Sequence, residues 1–220
     1  MKLFDWLLEL LYPPKCIFCG KLLRKDESDL CKECRHSLPE ANNPIKRGEF
    51  FECCYSLYYY EEFVAESVKR YKFHAMQQYA EAYGRLLAML LLREKLKFDV
   101  LTWVPTSDAR IKSRGYDQTK LLAAAVAREM NVECVRCLKK TFHNTAQSTI
   151  RDYSARKANV LGVYAEHDAV SFEDKRVLLI DDVITSGATL SECSRVLLTA
   201  GADSVVCATF AATREKEKKQ

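Results

Sequence analysis

Residues 176–190 read RVLLIDDVITSGATL, and this stretch decides the fold. Val177, Leu178, Leu179 and Ile180 form an unbroken apolar run, the mark of a strand buried on both faces. Asp181 and Asp182 follow at its carboxyl end, and a turn of small residues opens a helix expected over Ala188–Ala200. Ligands of open α/β sheets bind at that edge. Thr185, Ser186, Gly187, Ala188 and Thr189 offer successive backbone N–H groups at a helix N-terminus, where the helix dipole also favours an anion. Gly187 permits close backbone approach, and the hydroxyls of Thr185, Ser186 and Thr189 add donors. The turn is built to grip one phosphate. No G-x-x-x-x-G-K-[ST] loop is present, so a nucleoside-triphosphate cradle is excluded. Two carboxylates ahead of the turn suit the vicinal hydroxyls of a ribose, because ionised carboxylates only accept and hydroxyls can donate. The bland alternative is that the aspartates merely cap the strand end.

Working outward, strand and helix patterns alternate. Strands are expected at Cys54–Tyr60, Val100–Val104, Val132–Leu138, Val160–Ala165 and Ser204–Ala211, and helices at Glu61–Lys72, Gln77–Lys95 and Thr119–Met130. Such alternation predicts an α/β fold with a mostly parallel sheet flanked by helices. Lys139–Asn159 is polar, without a long apolar run, and reads as a long connection. The chain has 220 residues, enough for one medium domain and an appendage. Its 34 basic and 30 acidic side chains leave a formal charge of +4, which allows an anionic ligand without demanding nucleic acid.

The appendage is N-terminal. Cys16-x2-Cys19 and Cys31-x2-Cys34 lie eleven residues apart, and two such knuckles can supply four thiolates to one tetrahedral Zn²⁺. A filled four-cysteine site leaves no open position for catalysis, so the zinc is structural. Residues up to about Asn43 show little apolar periodicity, so metal rather than a core is expected to order them. Loss of zinc should then unfold that segment alone. The expected divisions are 1–43 for an N-terminal helix and zinc module, 44–213 for the α/β domain and 214–220 for a charged tail. Lys2–Tyr12 reads as a short amphipathic helix with Leu3, Leu7, Leu10 and Leu11 on one face, far short of a membrane span. With no signal peptide and ten cysteines, reduced thiols and a cytoplasmic location are expected. Cys53, Cys54, Cys193 and Cys207 read as packing residues, and Cys134 and Cys137, three apart on a strand, would face opposite sides.

Val104 and Pro105 end a strand and open the loop Thr106–Gln118, which carries Arg110, Lys112, Arg114 and a joint at Gly115. Arginine forks onto two phosphate oxygens, so Arg110 and Arg114 are better anion ligands than Lys112. A solvated basic loop is the alternative.

Four segments carry a family resemblance: PPKCIFCG at 13–20, VPTSDARIKSRGYDQ at 104–118, Gln147 through Arg151 and Arg156 to Asn159, and DDVITSGATL at 181–190. Residues 176–190 look like the signature of type I phosphoribosyltransferases, and the whole resembles the ComF family of competence-associated proteins. The resemblance implies that the acid pair contacts the ribose of phosphoribosyl pyrophosphate (PRPP), that the turn holds its 5-phosphate, and that the basic loop holds pyrophosphate. It makes Gln147, Arg151, Arg156 and Asn159 lid candidates. It implies Mg²⁺ bound with PRPP, a glycosyl transfer to an unidentified nitrogenous acceptor, and a link to natural competence and DNA uptake. The alternative is a non-catalytic PRPP or nucleotide sensor, or a single-stranded-DNA-binding adaptor partnering competence-machinery proteins. The nearest approach to an aromatic and basic DNA stripe is KRYKF at 69–73, where Lys69, Arg70 and Lys72 flank Tyr71 and Phe73.

Overall fold

The computed structural model describes residues 13–74, 76–141, 160–167 and 172–214. The N-terminal amphipathic helix, the lid candidates Gln147, Arg151, Arg156 and Asn159, and the tail beyond Arg214 lie outside the described residues.

In chain order the elements are α1 (Lys32–Ser37), β1 (Cys54–Tyr59), α2 (Glu62–Phe73), α3 (Tyr79–Arg93), β2 (Val100–Trp103), α4 (Asp108–Arg114), α5 (Gln118–Met130), β3 (Leu138–Lys140), β4 (Tyr164–Glu166), β5 (Arg176–Ile184), α6 (Ala188–Thr199) and β6 (Ser204–Ala212). Four strands make one all-parallel sheet in the order β1-β6-β5-β2, and β3 pairs antiparallel with β4 in a separate ribbon. This is a parallel-sheet α/β fold flanked by helices, with an N-terminal cysteine cluster.

Side-chain alternation along the central strands builds two cores. Leu178 and Ile180 of β5, with Ala208 and Phe210 of β6, join α2, α3 and α5 on one face. Val177 and Leu179, with Val205 and Cys207, join α6 and the β3–β4 ribbon on the other. That two-faced burial is why β5 reads as uniformly apolar.

Four local expectations change. β5 continues past Ile180 to Ile184, because β6 offers Thr209, Ala211 and Ala212 as register partners for Asp181, Val183 and Ile184. The acid pair therefore lies inside the strand. Residues 108–114, expected as loop, form α4, closed by Gly115 in the left-handed region (φ 84°), whose N–H bonds the Ile111 carbonyl. The strand expected over Val132–Leu138 reduces to one parallel bridge, Leu101 to Cys134, and pairing starts only at Leu138. That expected at Val160–Ala165 starts at Tyr164, after a turn through Gly162 at φ 71°.

The larger change concerns the cysteine module. Ile17, Phe18, Leu30 and Leu38 are buried in the same core as α2, α3 and α5. The Phe18 ring stacks on Phe210 of β6 (6.1 Å, 13°) and meets Tyr58 of β1 edge-on (5.5 Å, 82°). Burying such an aromatic is worth about 1.5–3 kcal/mol. The segment is thus ordered by a core as well as by its cysteines.

Candidate functional site

The four cysteine Sγ atoms of Cys16, Cys19, Cys31 and Cys34 lie within 4.8 Å of one another, the one such cluster among the described residues. Cys31 caps α1, accepting from the Cys34 amide at 3.5 Å, so the second knuckle is pre-shaped by a helix start. Burial raises the Cys16 thiol, but amides of Cys19, Cys31 and Phe18 outweigh it and bring Cys16 down to about 7. Desolvation pushes Cys34 well up. A bound metal would deprotonate the coordinating thiols. Four converging sulfurs with no other donor fit structural zinc. His36, a conceivable substitute ligand, is exposed and its Nδ1 sits 2.7 Å from the Lys32 carbonyl.

At the carboxyl edge of the main sheet lies a cavity of about 470 Å³. Of the residues picked out in the sequence, Val104, Pro105, Arg110, Arg114, Asp181, Asp182, Thr185 and Thr189 all line it. Lys112 does not, and is exposed. Ser186, Gly187 and Ala188 line a neighbouring hollow of about 370 Å³ on the other side of the turn. Gly187 takes φ 83° as the cap of α6, a conformation that favours glycine. The Ala188 amide donates to Ser186 Oγ at 3.3 Å. Thr189 and Leu190, in the first turn of α6, have no carbonyl of their own helix to bond and remain available to an anion.

The acid pair divides into unequal partners. Asp182 is buried and both of its oxygens are engaged: Lys72 Nζ donates to Oδ1 at 2.8 Å, and Gln118 Nε2 donates to Oδ2 at 3.2 Å. Asp181 accepts the Asp182 amide at 2.8 Å. Desolvation first, then the adjacent Asp182 carboxylate, pushes Asp181 well above the ordinary carboxylate range. Asp117 caps α5 through the Thr119 and Lys120 amides and takes the Thr106 hydroxyl at 3.0 Å, tying the end of β2 to α5. Burial, reinforced by Arg110, pushes Lys140 at the cavity wall down to about 8.

Sequence reasoning missed Gln118, Lys140 and Tyr164 as wall residues, since they belong to a helix start and a short ribbon without a motif. It met Lys72 and Phe73 only as part of KRYKF. That stretch does not form one basic face. Lys69 pairs with Glu66 at 2.7 Å, Arg70 bonds backbone carbonyls of the first cysteine knuckle, Tyr71 is fully buried, and Lys72 reaches Asp182. Phe73 stays exposed at the cavity, with the Arg114 guanidinium 4.9 Å from its ring centre. Among the described residues no helix is long and apolar enough to cross a membrane.

Comparison with known proteins agrees with this arrangement. Residues 120–220 match the phosphoribosyl transferase domain, and residues 7–45 match the double zinc ribbon domain. Competence protein F of Haemophilus influenzae is 24% identical, over 87% of this chain and 93% of its own. Competence protein ComFC of Streptococcus pneumoniae is 26% identical, over 87% and 96%. DNA utilization protein YhgH of Escherichia coli is 23% identical, over 86% of each chain. With a double zinc ribbon match ahead of a phosphoribosyl transferase domain match, and relatives aligned along most of its length, the chain is similar to competence protein F, ComFC and YhgH from end to end of that alignment.

Proposed function

We propose that the protein binds PRPP in the β5-edge cavity and transfers its phosphoribosyl group to a nitrogenous acceptor. One observation carries this reading: the acid pair, two residues of the phosphate turn and two arginines of α4 line a single cavity of about 470 Å³. The 5-phosphate takes the α6 N-terminus with the hydroxyls of Thr185 and Thr189, and Asp181 accepts from the ribose hydroxyls. Ser186, Gly187 and Ala188 shape the turn. Arg110 and Arg114 hold the pyrophosphate and offset its growing charge as the C1–O bond breaks, while positive charge develops at C1. Asp181 is the cavity carboxylate suited to Mg²⁺, which prefers phosphate oxygens and water and would neutralise leaving-group charge. Six further cysteines outside the zinc cluster, none in a disulfide among the described residues, support a reducing, cytoplasmic setting. The names of the relatives support a role in competence and in DNA utilization.

Calorimetry with PRPP and Mg²⁺ tests the binding. Asp181→Asn should weaken it by about 1.5–3 kcal/mol, the worth of a hydrogen bond to a charged group. Unchanged affinity in Asp181→Asn would remove the central claim. A binding-only reading is favoured by the engagement of both Asp182 oxygens by protein donors. Isotope exchange of pyrophosphate across a panel of bases and amines separates the two. A transferase loses turnover more than PRPP affinity when Arg110 or Arg114 is removed. A sensor loses affinity alone and releases no pyrophosphate.

A further inference from the structure

Helix α2 touches both metal module and cavity within two turns. Ser67 Oγ donates to the Ile17 carbonyl at 2.6 Å, and its oxygen meets the Tyr83 hydroxyl at 2.6 Å. Arg70 Nη2 donates to the carbonyls of Ile17 and Phe18 at 2.9 and 2.6 Å. Those carbonyls lie between Cys16 and Cys19, in the backbone whose path a bound metal would fix. Of the next three residues of α2, Lys72 and Phe73 line the phosphoribosyl cavity and Tyr71 is buried in the core. Tyr71 hydroxyl donates to the Gln118 carbonyl at 2.5 Å, Lys72 pairs with Asp182 at 2.8 Å, and Phe73 carries the Arg114 guanidinium. The Tyr116 hydroxyl returns a bond to the Tyr71 carbonyl, closing the end of α2 onto the turn between α4 and α5.

We propose that Arg70 is a positioning residue that couples the zinc knuckle to the phosphoribosyl cavity, so that metal and PRPP reinforce each other's binding. The inference rests on the PRPP reading above. A metal-shaped knuckle presents two carbonyls in register for one guanidinium, which holds the C-terminal turn of α2. That turn sets where Lys72 and Phe73 stand at the cavity. When the knuckle loses its metal, Arg70 loses fixed acceptors and the turn loses its anchor. Linkage requires the reverse effect to be equal: PRPP must tighten zinc by the factor by which zinc tightens PRPP.

The test uses the full zinc-loaded chain, titrated with a zinc-selective chelator with and without saturating PRPP. PRPP should raise zinc retention about tenfold, within the range usual for coupled sites. Zinc-stripped protein that keeps its circular dichroism should bind PRPP weaker by the same factor. If stripping unfolds the chain, the retention measurement on the loaded protein still decides. Arg70→Met should keep one zinc and bind PRPP, with the coupling factor falling toward one, and Arg70→Lys should restore part of it. A merely structural arginine would lower stability and leave the factor intact, which overturns the proposal. If PRPP binds the wild type but leaves zinc retention unchanged, the coupling alone fails. If PRPP does not bind the wild type at all, the phosphoribosyl reading fails, and the coupling with it.

Discussion

At the scale of single residues, Asp181 makes a pH-dependent prediction. Its carboxyl is raised from 3.8 toward about 8 by burial and by Asp182. A raised carboxyl binds more protons folded than unfolded, so its contribution is fully present below the ordinary carboxylate range. That contribution is lost as the pH climbs through neutrality. Asp181→Asn cannot ionise, so urea melts between about pH 5 and pH 8 should show the variant gaining on the wild type as pH rises. Equal slopes for the two proteins would mean that Asp181 is ionised as easily folded as unfolded. PRPP affinity of the wild type should move the opposite way and increase over that window, since ribose hydroxyls prefer the ionised acceptor. Both aspartates were legible as site candidates, because strand, acid pair and turn are contiguous at 177–190. Their inequality was not, since Lys72 stands 110 residues from Asp182.

Element by element, apolar period located the strands β1, β2, β5 and β6 and the helices α2, α3, α5 and α6 to within a few residues. It failed where packing is weak or borrowed. α4 has two apolar residues, Ala109 and Ile111, in DARIKSR, too few for an apolar period, so only its flanks, Ser107 and Gly115, could have announced it. β5 outran its apolar run because β6 continued to supply partners. Close contact between α3 and α5 gives the prediction at this scale. A Cβ on Gly84 would sit 2.4 Å from Ala125 Cβ and 2.9 Å from the Ala125 carbonyl carbon, and backbone there cannot rotate away. Gly84→Ala should therefore destabilise by about 1–3 kcal/mol, despite the gain in helix propensity. The midpoint of a urea melt checks this; a stabilised variant would show that α3 and α5 can part at low cost.

Across the whole molecule, the shared core changes what loss of the zinc module should do. Phe18→Ala removes a buried ring stacked on β6 and should cost about 3–5 kcal/mol in a single transition for the whole chain. Calorimetry showing two separate transitions, with the α/β one unmoved, would restore the picture of an independent appendage. The sequence by itself determined the local chemistry: a strand with its acid pair and a turn of small residues, two cysteine knuckles, and the alternation that demands a parallel sheet. These follow from neighbours in the chain, whose spacing sets backbone shape and donor count. Only the tertiary structure decided that Arg70 holds the cysteine knuckle, that Lys72 and Gln118 engage Asp182, and that Phe18 sits in the core of the sheet. Contacts of that kind depend on which faces pack together, and no spacing along the chain encodes them.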